Sequence, residues 1–365
     1  MKILAIETSC DDTGIAILEK SPKIKILADF LSSQNELHAK YGGVHPSMAK
    51  REHEKNILPL LEKSLKKAHL LKKRKTNLKI KKGTKKILER YPDLFKELEE
   101  FLSKYKKPDI DKIAVTIGPG LEPCLYVGIN FAKALALNWN IEIIPVNHIE
   151  AHILVNFLKQ KPIFPSLCFV ISGGNTKLFI MEKIGKYKEL GSTRDDAIGE
   201  CFDKTARILG LPYPGGPEIS KRAKKIKRST IILPRPMIHS RDYDFSFSGL
   251  KTAVLYLVKD KKLKNKEINE ICFEIESSVS EVILKKLKRA INEFSPKALI
   301  IGGGVSSNER IVKELKLLSK KEKIKILTPK YTSDNAVMIG AAAILSPKTK
   351  TRAKIEANSN LNLND

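Results

Sequence analysis

His148 and His152 stand four residues apart in the stretch Val146–His152, VNHIEAH. On a helix that spacing puts both imidazoles on one face, roughly 6 Å apart along the axis and near enough to grip one metal ion. The protease signature His-Glu-x-x-His sets its general base beside the first histidine. Here Ile149 fills that place, and Glu150 points about 200° around the helix from His148, so the protease reading fails. Without a third ligand the pair reads more simply as helix-surface or capped histidines. Asp334, in the polar turn of YTSDNAVMIG (Tyr331–Gly340), is available as that ligand, or merely as the N-cap of the helix that follows. Two histidines and one carboxylate leave coordination positions open, as catalytic sites do.

A second kind of chemistry lies in the glycine turns SGGNT (Ser172–Thr176), YPGGP (Tyr213–Pro217) and GGGVSSN (Gly302–Asn308). Without a Cβ in the way, their backbone N–H groups can approach an anion. Glycine turns are common in α/β proteins, so each alone says little, and no GxxxxGK[ST] P-loop is present. ETSCDDTG (Glu7–Gly14) gathers hydroxyls and carboxylates in one turn, which suits the phosphate or hydrated-metal edge of a nucleotide or, more plainly, solvent. Cys10 has no cationic neighbour in sequence to lower its pKa and is no obvious nucleophile.

The elements that must carry these residues follow from hydrophobic pattern. KILAIETSCDDTGIAILE and SLCFVISGGNTKLFIME each read as strand, polar turn, strand. KIAVTIGPG and ALIIGGGVSSNER each read as strand and glycine turn leading into a helix. The same succession thus occurs twice, which predicts two α/β halves, residues 1–164 and 165–347, followed by a polar tail, 348–365. Duplicated halves with facing glycine turns would form a nucleotide cleft. Residues 65–107 look like a helical insertion, opening on a run of cations free of acid from Lys66 to Lys86. Within it Leu94, Phe95, Leu98, Phe101, Leu102 and Tyr105 follow helical spacing, with Pro92 near the helix start.

Bulk properties bound the rest. A chain of 365 residues carries a net charge of +26, and such a surface attracts polyanions, nucleic acid among them, unless it reflects only a general taste for lysine. The five cysteines are scattered, with no CxxC pair, which argues against a disulfide framework or a zinc knuckle and suits a reducing cytoplasm. No apolar run approaches the ~20 residues that span a bilayer, and the N-terminus does not read as a signal peptide.

ETSCDDTG, GGVHPSMAKREH, IGPG, VNHIEAH, ISGGNTKL, GECFDKTARILGLPYPGGP, FSFSGLKTA, GGGVSSN and YTSDNAVMIG occur in this order. The set closely resembles the TsaD family, tRNA N6-adenosine threonylcarbamoyltransferases, in its bacterial form, across nearly all of the chain except 65–107 and the tail. The resemblance implies a duplicated actin/Hsp70/sugar-kinase-like α/β fold. It implies transfer of a threonylcarbamoyl group from threonylcarbamoyl-AMP to the N6 amine of the adenosine just 3′ of the anticodon, in tRNAs that read codons beginning with adenine, with release of AMP. One Fe(2+) per subunit, or zinc, would be bound by His148, His152 and Asp334. The adenylate would contact Ile171, Ser172, Gly173, Gly174, Asn175, Asp203, Gly216 and Asn308. A TsaB-like paralogue and a TsaE-like ATPase are the implied protein partners. Asp11 is the candidate general base. Asn175 stands where the family usually has histidine, which puts any titrating or metal-binding role there in doubt, and GGVHPSMAKREH drifts from the usual form although His53 is kept. The competing reading from another class is an actin-like ATPase switch, which has no need of the histidine pair.

Overall fold

A computed structural model describes residues 1–75, 80–346 and 355–364. The chain divides into two compact units, Met1–Glu36 with Val44–Lys161 and Asp334–Asp365, and Leu37–Gly43 with Pro162–Ser333.

In the first unit the strands are β1 (Lys2–Glu7), β2 (Asp12–Ser21), β3 (Lys23–Ser33), β4 (Lys112–Gly118) and β5 (Glu142–Asn147), in the order β3-β2-β1-β4-β5. β1 pairs antiparallel with β2 and parallel with β4, and β4 pairs parallel with β5. The runs Ile3–Ile6 and Ile15–Leu18 are fully buried, as continuous apolar strands in a covered sheet must be. A short helix α1 (Asn35–Ala39) precedes α2 (Pro46–Lys67), which packs on β2 and β3. After α3 (Gly83–Ile87), α4 (Pro92–Lys104) forms where the spacing predicts it. Pro92 stands in its first turn, and Leu94, Leu98, Phe101 and Leu102 are buried. The helix α5 (Glu122–Trp139) packs on β4, and α6 (His148–Leu154) follows β5 directly.

The second unit repeats the plan. Its strands β6 (Ser166–Ile171), β7 (Thr176–Lys183), β8 (Lys186–Ser192), β9 (Ala298–Gly302) and β10 (Lys325–Leu327) run in the order β8-β7-β6-β9-β10. β6–β7 and β7–β8 are antiparallel, while β6–β9 and β9–β10 are parallel. Strand for strand this is the first sheet again, the duplication expected of an actin/Hsp70/sugar-kinase-like fold. The helices here are α7 (Ile198–Ile208), α8 (Gly215–Ala223), α9 (Ser248–Val258), α10 (Asn265–Phe294) and α11 (Glu309–Lys321). Cys272, Ile275, Val279, Ile283 and Leu287 of α10 enter a core shared with Phe169, Phe202, Phe245 and Phe247. Each such side chain taken fully from water contributes about 1.5–3 kcal/mol.

The units differ from the halves expected at 164/165 and 347/348. The first break falls at Lys161/Pro162, and from Asp334 the chain rejoins the first unit. The cause is α12 (Ala336–Leu345), apolar along almost its whole length, which packs on β1, β2 and α6. A Cβ on Gly340 would stand 2.4 Å from Leu18 Cδ1, so any larger residue there would force the buried Leu18 side chain to move. Residues 355–364, expected as a polar tail, also return to the first unit. Asn358 N donates to Ile117 O (2.8 Å), Asn147 Nδ2 donates to Asn362 O (3.0 Å), and Leu363 is buried. At Gly118 (φ +151°) a Cβ would lie 1.9 Å from Asn358 O.

Candidate functional site

β5 delivers the chain to Asn147, whose Oδ1 accepts from Ile149 N (2.9 Å) and Glu150 N (3.1 Å) and so caps α6. The helix begins on His148, with His152 one turn later on the same buried face. Asp334 arrives from the turn before α12. That helix is capped by Asn335, which accepts from Met338 N (3.0 Å), so Asp334 has no capping duty and turns to the histidines. His148 Nε2 and His152 Nε2 are 3.2 Å apart, and Asp334 Oδ1 lies 3.4 Å from the first and 3.1 Å from the second. Two ligands of one first-row ion, at bonds of ~2.0–2.2 Å and angles of ~95–108°, are separated by about 3.0–3.6 Å. The three atoms therefore fit one divalent cation, and two imidazoles with one carboxylate suit iron(II) or zinc. The Asp334 side chain is 21% exposed against 6% and 0% for His148 and His152, so the open side of the set lies at Asp334.

Carboxylates and burial pull the charges of the three groups in opposite directions. Burial opposes charge on His148, but the Asp334 and Glu7 carboxylates outweigh it and raise its pKa to about 10. His152 is lowered, chiefly by burial and also by the charge of His148. Burial works against the Asp334 carboxylate, yet the two histidines hold it well below the usual range.

The β1–β2 turn lines this region. Glu7 Oε2 lies 3.2 Å from His148 Nδ1, and Ser9 Oγ is 3.2 Å from the same nitrogen. His53, buried on α2, bridges Thr13 Oγ1 (2.7 Å) and Cys10 O (3.0 Å) and so pins the turn to the helix. Asp11 is half-exposed in the turn, its carbonyl accepting from Gln34 N (3.2 Å). Burial, with Asp11 and Asp334 nearby, pushes the Cys10 thiol well up, in keeping with a side chain that is no nucleophile.

The expected adenylate residues all lie in the second unit. Ser172 N donates to Asn175 O (2.8 Å), closing the β6–β7 turn. The start of α7 docks on it, Gly199 N donating to Ser172 O (3.2 Å) and Glu200 N to Gly173 O (3.1 Å). Gly303 (φ +88°) packs so closely that a Cβ would stand 2.3 Å from Ile171 O. Farther along α7, Asp203 Oδ1 accepts from Gly215 N (2.7 Å) and anchors the turn that holds Gly216. Asn308 caps α11 through Ile311 N (3.0 Å), while its Nδ2 donates to Glu276 Oε1 (2.7 Å) and Ser220 Oγ (2.9 Å). Among the described residues no heavy atom lies within 4 Å of a Cβ built on Gly173, Gly174 or Gly304, so packing does not demand glycine there.

Three participants, Glu7, Glu276 and Ser220, are not singled out by local sequence pattern. Glu7 is marked there only by its motif, ETSCDDTG. Glu276 and Ser220 form one hydrogen-bonded group with Asn308, and the signal for Glu276 was an acid inside the apolar run of α10. Among the described residues no helix is long and apolar enough to cross a membrane.

The TsaD family profile, tRNA N6-adenosine threonylcarbamoyltransferase, matches residues 25–77 and 85–341. It runs through most of 65–107, so the expected insertion contracts to residues 78–84. A curated tRNA N6-adenosine threonylcarbamoyltransferase of Dictyoglomus turgidum is 42% identical over 348 residues, spanning 94% of this chain and 92% of its own. That of Christiangramia forsetii is 39% identical over 353 residues, with the same two shares. The solved structure of T. kodakarensis HypF shares the fold at a TM-score of 0.54 and 12% identity, over 94% of this chain and 47% of that one. With the profile matched along most of its length and relatives of about 40% identity end to end, the chain belongs to the tRNA N6-adenosine threonylcarbamoyltransferase family and is a transferase that modifies tRNA.

Proposed function

We propose that this chain transfers the threonylcarbamoyl group of threonylcarbamoyl-AMP to the N6 amine of the adenosine just 3′ of the anticodon, in tRNAs reading codons that begin with adenine, and releases AMP. The observation that carries the proposal is the triangle of His148, His152 and Asp334 in a chain of this family. An adenine amine is a poor nucleophile because its lone pair is delocalised into the ring, so rate must come from positioning and from polarising the carbonyl. His148, His152 and Asp334 would hold iron(II) or zinc, which would supply Lewis-acid polarisation of the carbonyl. The chain's own residues do the rest. The turns at Ser172–Asn175 and Gly302–Asn308 offer backbone N–H groups to the adenylate phosphate. Asp203 and Asn308 hold the turns at Gly215 and at the start of α11, and serve the ligand by fixing those turns. As N6 attacks the carbamoyl carbon, the electron pair of the breaking C–O bond leaves with AMP, and Asp11 takes the proton from the amine.

The basic stretch containing Lys72, Lys73, Arg74 and Lys75 is assigned to the tRNA backbone, and a TsaB-like paralogue and a TsaE-like ATPase to protein contacts, all in the cytoplasm. Incubating the metal-loaded protein with threonylcarbamoyl-AMP and unmodified tRNA, with and without those partners, should give modified tRNA and AMP in equal amounts. In a parallel mixture of this chain alone with ATP added, ATP hydrolysis together with no transfer would favour the ATPase switch instead.

A further inference from the structure

Glu7 closes β1 with its side chain fully buried, where an ionised carboxylate needs partners for its lone pairs. Its Oε1 accepts from Ser9 N (2.5 Å), and its Oε2 accepts from Thr116 Oγ1 (2.6 Å). The same Oε2 stands 3.2 Å from His148 Nδ1. An ionised carboxylate can only accept hydrogen bonds. For the third contact to be attractive, a proton must sit on Nδ1, so Nε2 is the nitrogen left to turn a lone pair to a cation once the ring is neutral. Nε2 is the atom that faces His152 Nε2 and Asp334 Oδ1 across 3.2 and 3.4 Å. His152 has no such support, since its buried Nδ1 has no hydrogen-bond partner among the described residues. The two histidines are therefore held differently, one by a carboxylate and the other by packing.

We infer that Glu7 is a positioning residue for the metal centre: it fixes the ring and tautomer of His148 so that Nε2 is presented to a divalent cation. A carboxylate behind a ligating imidazole also strengthens the ligand's basicity, and loss of such a partner weakens metal affinity about 10–100-fold. The inference rests on reading His148, His152 and Asp334 as a metal site.

The test is a zinc titration of the metal-free protein against a chromogenic chelator, for wild type, Glu7→Gln and Thr116→Val. Glu7→Gln keeps shape and removes charge, while Thr116→Val removes a neighbouring bond to the same Oε2. The expected result is a zinc Kd raised about 10–100-fold in Glu7→Gln and by less than about threefold in Thr116→Val. The melting temperature of metal-free Glu7→Gln should be unchanged, and the visible absorption of its cobalt(II) form should shift. If Glu7→Gln also melts lower, Thr116→Val decides. An equal affinity loss there overturns the inference in favour of general damage to the sheet, and retained affinity supports it. An unchanged Kd in Glu7→Gln overturns it outright. Should wild type itself fail to bind zinc through the three ligands, the metal reading falls. Tight wild-type binding with an indifferent Glu7→Gln removes only the role of Glu7.

Discussion

The two units carry the same five-strand sheet with the same neighbours and directions, yet the loops at corresponding strand ends are built oppositely. In the first unit the β1–β2 turn is packed tightly against the turn after β4 and against α5. A Cβ on Gly120 would strike Ser9 O at 2.5 Å, and one on Gly128 would strike Thr8 Oγ1 at 2.4 Å. Glu7, Ser9, His148 and Asp334 occupy the space. In the second unit the corresponding β6–β7 turn keeps Gly173 and Gly174 open, and the turn after β9 keeps Gly304 open. One copy thus concentrates lone pairs and negative charge, which suits a cation. The other presents bare backbone N–H groups, which suits an anion. After duplication, the scaffold need not change for the chemistry to diverge, because loops tolerate substitutions that strands in a core do not.

That contrast can be broken at either end. The largest effect is expected at the cation end. His152→Ala and Asp334→Ala should each lower bound metal, measured on purified protein, and reduce transfer by about 100-fold or more. The fold should stay intact, and full metal occupancy in both would remove the proposed centre.

At the anion end two glycines divide the structural role from the binding role. Gly303→Ala meets a positive φ and a backbone oxygen at 2.3 Å, and should lower unfolding stability by about 2–3 kcal/mol. Gly173→Ala meets no atom, so denaturant unfolding should match wild type while affinity for a non-hydrolysable adenylate analogue falls. Equal behaviour of the two variants would erase the distinction between packed and open turns.

Asn308→Ala sharpens the same point. It deletes a helix cap and a donor to the buried Glu276, together about 1–3 kcal/mol of stability. Adenylate affinity should fall with it and metal content should not, read by calorimetry and metal analysis. A variant that loses affinity at wild-type stability would show that the amide acts on the ligand directly.

The smallest effect tests the acidity of the first unit. Burial, reinforced by Asp11, Asp334 and Glu7, raises Asp12 to about 7 although Ser33 works against it. A carboxyl whose folded pKa is raised costs nothing while protonated, below pH ~4, and costs progressively more as pH rises through ~4–7. Asp12→Asn should therefore stabilise the protein at pH 8 and leave it unchanged near pH 4. A gain that is the same at both pH values would mean that ionisation of Asp12 is not the cause.

Much was legible without coordinates because it is written in short-range pattern. The spacing of His148 and His152, the apolar stripe and Pro92 of α4, the glycine turns and the repeated strand–turn–strand followed by strand–turn–helix all depend on neighbours within a few positions. The order of the motifs was enough to indicate the family. Asp334 remained ambiguous, since a short acid before a helix is equally a cap, and only the structure shows Asn335 capping while Asp334 meets a histidine 182 residues away. Glu7 behind His148, across 141 residues, could not be read from spacing, because the pairing of β1 with β4 and β4 with β5 brings them together. The return of α12 and of residues 355–364 to the first unit was likewise invisible. A local apolar or polar pattern says that a surface will be buried or solvated, but not against which part of the chain, and that choice belongs to tertiary packing.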